Sequence, residues 1–364
     1  MCFKSVVILE AKLLGCRHLS GQRKMALSFP HKFQPLDATI MKTILEKFPI
    51  YTEGLLKVGP KGYVFKHQYT NLAEKYYNFK LRSDDVFIMT FPKCGTTWMQ
   101  EIAWTMRNQV NVNTDLELNV RAPFLEFDCL ESMELEPLES WLEDFNSRNP
   151  GKDYKTEGLY LELATSCPSP RTIKTHLPFS LLNPSLLDTT KVIYVARNPR
   201  DTCVSFYHHH RLVKVNKYIG NFDEFVDFWC QDLLTYSPYL SHLAEGWSMR
   251  DHPKVLFLFY EDMQEDIMRE LRKLNDFLGT SLREEELKVV AEHVKFANMK
   301  SRSTCNPTAA GIHVGRFEKN EGEFVRKGIT GDWVNYFTPH IEEKFSAWLK
   351  SSKEAKNIPM KYRN

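Results

Sequence analysis

Three short stretches gather cations, hydroxyls and glycine more densely than a simple turn requires. In TFPKCGTTW, residues 90–98, Lys93, Cys94, Gly95, Thr96 and Thr97 are consecutive. If a strand feeds this loop and a helix leaves it, successive backbone N–H groups and the positive end of the helix dipole meet at one point. Gly95 lets an anion approach the backbone closely. Lys93 adds a full charge and the threonines add hydroxyl donors. Together they describe a phosphate cradle; the blander reading is a strand-to-helix turn capped by threonine. In KVIYVARNPRDTCVSFYHHHR, Arg197 closes an apolar run and Ser205 lies eight residues later on a helical pattern. An arginine and a hydroxyl in that arrangement could fork onto a second phosphate. A third group, Arg326, Lys327 and Gly328 in FVRKGITGDW, is basic and exposes backbone.

The first loop is not a nucleoside-triphosphate loop. That pattern is G-x-x-x-x-G-K-[ST], with lysine after the glycine, whereas Lys93 precedes Gly95 by two positions. No strand ends in an acid evidently placed for Mg²⁺, so a kinase or ATPase is disfavoured. His208, His209 and His210 are adjacent, and on a helix they point in different directions. They do not read as a metal site.

These groups need a scaffold that ends several strands at one place. Strand-like runs rich in β-branched and aromatic residues occur at DVFIMTF (85–91), RTIKTH (171–176), KVIYVAR (191–197) and KVLFLFY (254–260). Helical patterns lie between and after them: TTWMQEIAWTMRN, NPRDTCVSFYHHHRL, NFDEFVDFWCQDLL and EDIMRELRKLNDFLG. Alternating strands and helices predict an α/β fold, with a central, mostly parallel sheet flanked by helices. We expect one domain over 25–364, with residues 1–24 a disordered extension or an upstream start. Residues 121–144 carry eight acids against one base, Arg121. They read either as a solvated insertion with short helices or as a lid over an apolar pocket.

Composition adds exclusions. The 364 residues are 43% hydrophobic and 26% charged, with a formal charge of +2. That balance favours neither nucleic acid nor a membrane surface. The eight cysteines form no C-x-x-C pair, which points to reduced thiols and a cytoplasmic setting. No signal peptide is evident at the start, and no window reaches 18 consecutive apolar residues.

The motifs, in order, resemble the cytosolic sulfotransferase family: P-K-C-G-T-T-W, K-T-H-L-P, R-N-P-R-D…S, L-F-Y-E-D-M and R-K-G-x-x-G-D-W, over about residues 60–350. The resemblance implies a donor, 3′-phosphoadenosine 5′-phosphosulfate (PAPS), whose two phosphate groups account for two cradles. It assigns Lys93 to Thr97 to the phosphosulfate, and Arg197, Ser205, Arg326, Lys327 and Gly328 to the 3′-phosphate. Trp98, Tyr260 and Phe296 take the adenine side; a flat indole suits a purine face. His176 becomes the base for the acceptor hydroxyl. Lys93 and Lys174 stabilise charge on the leaving-group and sulfuryl oxygens. Ser205 restrains Lys93 until acceptor binds. No metal is implied. Xenobiotic or hormone sulfation is the expected setting.

Some positions depart from the family pattern. Cys94 replaces a serine and loses one hydroxyl donor. Val294 stands where a threonine lies near adenine. His209 replaces an aromatic of the acceptor pocket. The C-terminal dimer motif keeps Thr338 and Glu343 but not its pattern at Val334 and Pro339, so a homodimer stays open. Phe91, Phe124 and Phe179, with His209, are expected to line a pocket for a small hydrophobic phenol, steroid or other alcohol. GYVF (62–65) and YYNFKLRSDD (76–85) are similar to insect members, including the retinol-dehydrating sulfotransferase. Sulfation-coupled dehydration of an allylic alcohol is therefore an alternative, and a non-catalytic nucleotide binder is a second.

Overall fold

The computed structural model describes residues 26–130, 137, 139–309, 315–318 and 320–361. The extension expected at 1–24 lies outside them. All four expected strand runs form one parallel sheet. Its strands, with those of a smaller sheet, are numbered in chain order: β1 Phe33–Pro35, β2 Leu55–Val58, β3 Tyr63–Lys66, β4 Val86–Met89, β5 Thr172–Thr175, β6 Lys191–Ala196 and β7 Val255–Phe259. The parallel sheet has the order β5-β4-β6-β7. Its register sets Ile88 beside both Lys174 and Ile193, and Ala196 beside Phe259.

Alternation explains why these strands are apolar throughout. Phe87, Met89, Val192 and Tyr194 belong to the core on one face; Val86, Ile88, Ile193 and Val195 belong to the core on the other. Helices cover both faces, so neither set of side chains meets water. The expected helices appear as Thr96–Arg107, Pro199–Leu212, Phe222–Cys230 and Ile267–Leu278. The third stops before QDLL. Asn198 starts the second, its side chain accepting from Arg200 N, with Pro199 in the first turn.

The second sheet, β1-β2-β3, is antiparallel and was not expected. Its hairpin signal is the pair LLKV and YVFK around Gly-Pro-Lys-Gly.

The acidic segment is not a solvated insertion; Phe124, Phe127, Leu130 and Trp141 from it border the main cavity. Its first part is core: Arg121, Phe124, Leu125, Glu126 and Cys129 are buried. Lys174 N donates to Pro123 O and Leu125 N to Lys174 O, both at 2.9 Å, which docks the segment on the free edge of β5. Further on, Trp141 and Phe145 of the helix Glu139–Arg148 pack with Leu159, Tyr160 and Leu163. Residues 131–136 and 138 lie outside the described residues.

Candidate active site

The loop after β4 is strained and closely packed. Lys93 has φ of 69°, unusual for a residue with a Cβ, and its carbonyl accepts from Arg197 Nη1 at 3.0 Å. Gly95 has φ of 98°, and a Cβ there would lie 2.6 Å from the Tyr260 ring. The helix begins at Thr96, so its first-turn N–H groups face the loop.

A cavity of about 300 Å³ opens over the C-terminal edge of the parallel sheet. Lys93, Gly95, Thr96, Thr97, Trp98, Phe124, Lys174, His176, Arg197, Ser205, His209, Tyr260, Phe296, Arg326 and Gly328 all line it. A smaller adjoining cavity is lined by Lys93, Arg197, Ser205, Arg326, Lys327 and Gly328. The three basic groups read from the sequence therefore meet, although they are up to 235 positions apart (Lys93 to Gly328).

His176 lies just beyond β5 and is buried. Its Nδ1 lies 2.8 Å from the Thr90 carbonyl. A carbonyl only accepts, so Nδ1 carries the proton and Nε2 keeps a free lone pair. Burial, and then the charge of Lys174, hold the imidazole well below its usual range, so it is neutral at pH 7. Its ring packs edge-on to Phe124, at 5.0 Å between centroids. Lys174 Nζ lies 3.9 Å from the Phe124 ring centroid. Burial lowers Lys174 to about 8, with Glu126 opposing the shift. Enclosure by the cavity walls, then Lys174, Arg197 and Arg326, lower Lys93 to about 7. These are the effects expected of crowded cations.

Glu126 escaped the sequence reading because it was counted among the solvated acids. Its Oε1 accepts from His176 N at 2.6 Å and its Oε2 from the Thr175 hydroxyl at 2.8 Å. Burial raises its carboxyl to about 7. Asp201 and Asp332 were also missed. Asp201 accepts from Gly331 N at 2.7 Å and Trp333 N at 3.1 Å, pinning the Gly-Asp-Trp turn to the helix. Asp332 pairs with Arg326 and Lys327, each at 2.7 Å. Asp201 and Asp332 stand inside the R-N-P-R-D and G-D-W motifs but were given no role; the contacts of Glu126 and Asp201 form only on folding.

Phe91 is off the cavity. It continues the Phe87–Met89 face into the core, against Phe206, Trp229 and Tyr239. Phe179 opens a short turn of helix and packs at the edge of the same core, also away from the cavity. Cys94 is buried behind the loop, its Sγ 3.7 Å from the Thr202 hydroxyl. No hydrogen bond joins Ser205 to Lys93 among the described residues; Lys93 Nζ instead sits 4.5 Å from the Phe324 ring centroid. Trp98 Nε1 donates to the Val294 carbonyl at 3.0 Å, and Trp98 meets Tyr260 edge-on. Val294 thus takes part through its backbone. A Cβ on Gly328 (φ 64°) would collide with the Phe296 ring.

The fold is that of an α/β transferase, with a cation-lined cavity at the C-terminal edge of its parallel sheet. A sulfotransferase-domain model matches residues 83–358, and the chain belongs to the sulfotransferase family. Sulfotransferase 1A1 of Rattus norvegicus is 37% identical over 277 residues, 74% of this chain and 84% of that protein. Sulfotransferase 1B1 of Canis lupus familiaris is 33% identical over 309 residues, 83% and 94% of the two chains. The structure is similar to that of retinol dehydratase in complex with retinol and PAP, with a TM-score of 0.80, 31% identity, and coverage of 93% of this chain and 100% of that one. A second retinol dehydratase complex, with androsterone and inactive cofactor PAP, gives 0.78 and 32% over the same shares. The chain is accordingly a PAPS-dependent sulfotransferase.

Proposed function

We propose that residues 25–364 form one sulfotransferase domain that esterifies the hydroxyl of a small hydrophobic acceptor. The observation that carries the site assignment is His176, neutral, with Nε2 free beside two lysines on one cavity wall. His176 takes the acceptor proton as the acceptor oxygen bonds to sulfur. The sulfur–oxygen bond to the donor phosphate breaks, and PAP leaves with the charge that Lys93 meets. Lys174 faces the transferring sulfuryl oxygens. Lys93 to Thr97 hold the 5′ group; Arg197, Ser205, Arg326, Lys327 and Gly328 hold the 3′-phosphate. Buried Arg197 Nε has no hydrogen-bond partner among the described residues, as expected of a group waiting for an anion. Trp98, Tyr260 and Phe296 flank the adenine. Phe124 and His209 line the acceptor end.

This chemistry uses no metal in our reading. Among the described residues no helix is long and apolar enough to cross a membrane, and every cysteine is free; a cytoplasmic setting fits the free thiols. Whether the half-matched dimer segment, with Val334 52% exposed, pairs two copies is decided by sedimentation.

The test is transfer of radiolabelled sulfate from PAPS to a panel of phenols, steroids and retinol. Labelled ester is expected. His176→Ala should lower kcat by about 10²–10⁴ while PAP affinity stays within about twofold. Near-normal turnover in that variant contradicts the base assignment; PAP binding without transfer to any acceptor supports a binder. A second reading, sulfation followed by elimination from an allylic alcohol, draws on the full-length likeness to retinol dehydratase. Appearance of a dehydrated hydrocarbon from retinol, with release of free sulfate, distinguishes it.

A further inference from the structure

His208, His209 and His210 occupy one turn of the helix Pro199–Leu212, and the fold treats them differently. His208 Nε2 meets the Tyr336 hydroxyl at 2.8 Å. His210 donates from Nδ1 to the Phe206 carbonyl at 3.0 Å. His209 alone of the three has neither ring nitrogen engaged among the described residues, and its Nδ1 is sealed from water as well. A buried polar atom without a partner is costly and calls for an explanation. The ring lies parallel to Phe206 at 6.3 Å and edge-on to Phe324 at 5.8 Å, so two aromatics hold its position. Its free side borders both cavities. Lys93, Lys174 and His176 are among the groups whose charge reaches it. It therefore stands at the reacting end of the acceptor cavity. Burial, and then the charge of Lys93, keep the imidazole neutral, so it offers one donor and one acceptor. Its χ2 torsion is broad and two-fold, and a turn of the ring can present either nitrogen.

We propose that His209 is a specificity residue, selecting acceptors that carry a second hydroxyl or carbonyl close to the hydroxyl that reacts. The proposal rests on the acceptor-site reading above. An apolar side chain at 209 would accept a plain phenol as readily as a substituted one. An unpartnered imidazole penalises an acceptor that leaves it unpaired, which is how polar sites discriminate strongly.

The probes are phenol and catechol, which differ by one neighbouring hydroxyl. Two quantities are measured for wild type, His209→Phe and His209→Gln: the catechol-to-phenol ratio of kcat/KM, and equilibrium binding of each probe to the protein–PAP complex. The wild type should prefer catechol by about tenfold or more in both. The ratio should fall toward one in His209→Phe and recover in part in His209→Gln. PAP-induced stabilisation, measured alongside, shows that each variant is folded and holds nucleotide. An unchanged ratio in His209→Phe overturns the proposal. So does a loss of PAP affinity that lowers both probes equally, which would make His209 a donor residue. If wild type binds PAP but neither binds nor sulfates either phenol, the proposal fails while the donor site stands. If PAP itself does not bind, the reading of the whole site fails.

Discussion

Lys93 and Lys174 sit well below the ordinary lysine range, at about 7 and about 8. Their folded values are depressed, so both lose charge as pH rises through those values. An anion in the cradle favours the charged forms, so nucleotide binding must draw in protons. Calorimetric titration of PAP at pH 8, in two buffers of different ionisation enthalpy, should show net uptake on the order of one proton. PAP affinity should decline between pH 7 and 9. No uptake at pH 8 would mean the lysines do not face the nucleotide. Glu126 shifts the other way, from 4.5 to about 7, because of its burial. For a group raised on folding, the favourable contribution is complete below its unfolded pKa and lost as pH rises through the folded one. Glu126→Gln keeps an acceptor for His176 N and removes the titration. Its melting temperature should therefore gain on wild type between pH 5 and pH 8. A constant difference would show that Glu126 is ionised throughout that range.

The turn carrying Arg326 to Gly328 shows how one element depends on contacts far away in sequence. Its distant supports include the backbone bonds to Asp201 from Gly331 and Trp333, the bond from Arg197 Nη2 to the Ile329 carbonyl, and the close seat of Gly328 on Phe296. Gly328→Ala introduces a Cβ at positive φ and pushes on the Phe296 ring, which we propose flanks the adenine. Its PAP dissociation constant should rise by about tenfold or more, because both the backbone and the ring must shift. The melting temperature without nucleotide should fall only slightly, since the turn lies outside the main core. Equal losses in affinity and stability would place Gly328 in the fold rather than the site. The legibility of the chain follows the same division. Elements set by local pattern were readable: four apolar runs became the parallel sheet, and Lys93 to Thr97 became the turn from β4 into its helix at the cavity. Phe91 was expected at the acceptor because it adjoins the loop, while strand alternation through Phe87 and Met89 sends it into the core. The hairpin of β2 and β3 had a signal, but β1 has three exposed residues and no period. Glu126 and Asp201 could not be read locally, and Asp332 was passed over within its own motif. Each derives its importance from a partner 50, 130 or 6 positions away (His176, Gly331, Arg326).

Across the molecule, the parallel sheet brings Lys93, Lys174, Arg197 and Arg326 to one edge, where their like charges oppose one another. Arg197 also leans on Tyr260, its guanidinium carbon 4.4 Å from the ring centroid. Such a site is held together by the two cores on either face of the sheet, and an anion bound there relieves the repulsion. PAP should therefore stabilise the whole fold. At one hundred times its dissociation constant, a ligand of the native state adds about 2.7 kcal/mol. Unfolding entropy of about 2.1 cal/mol/K per residue, over 364 residues, gives about 0.76 kcal/mol/K. The expected rise in Tm is then about 3–4 °C. On the proposed assignment, adenosine 5′-monophosphate would fill the first cradle and leave the cavity of Arg197, Ser205 and Arg326 without a phosphate. At the same concentration it should give a clearly smaller rise. Equal shifts from the two nucleotides would mean that the second cavity does not read the 3′-phosphate. A Tm rise from PAP that survives Arg197→Met undiminished would remove from that role the arginine whose buried Nε is unpartnered among the described residues.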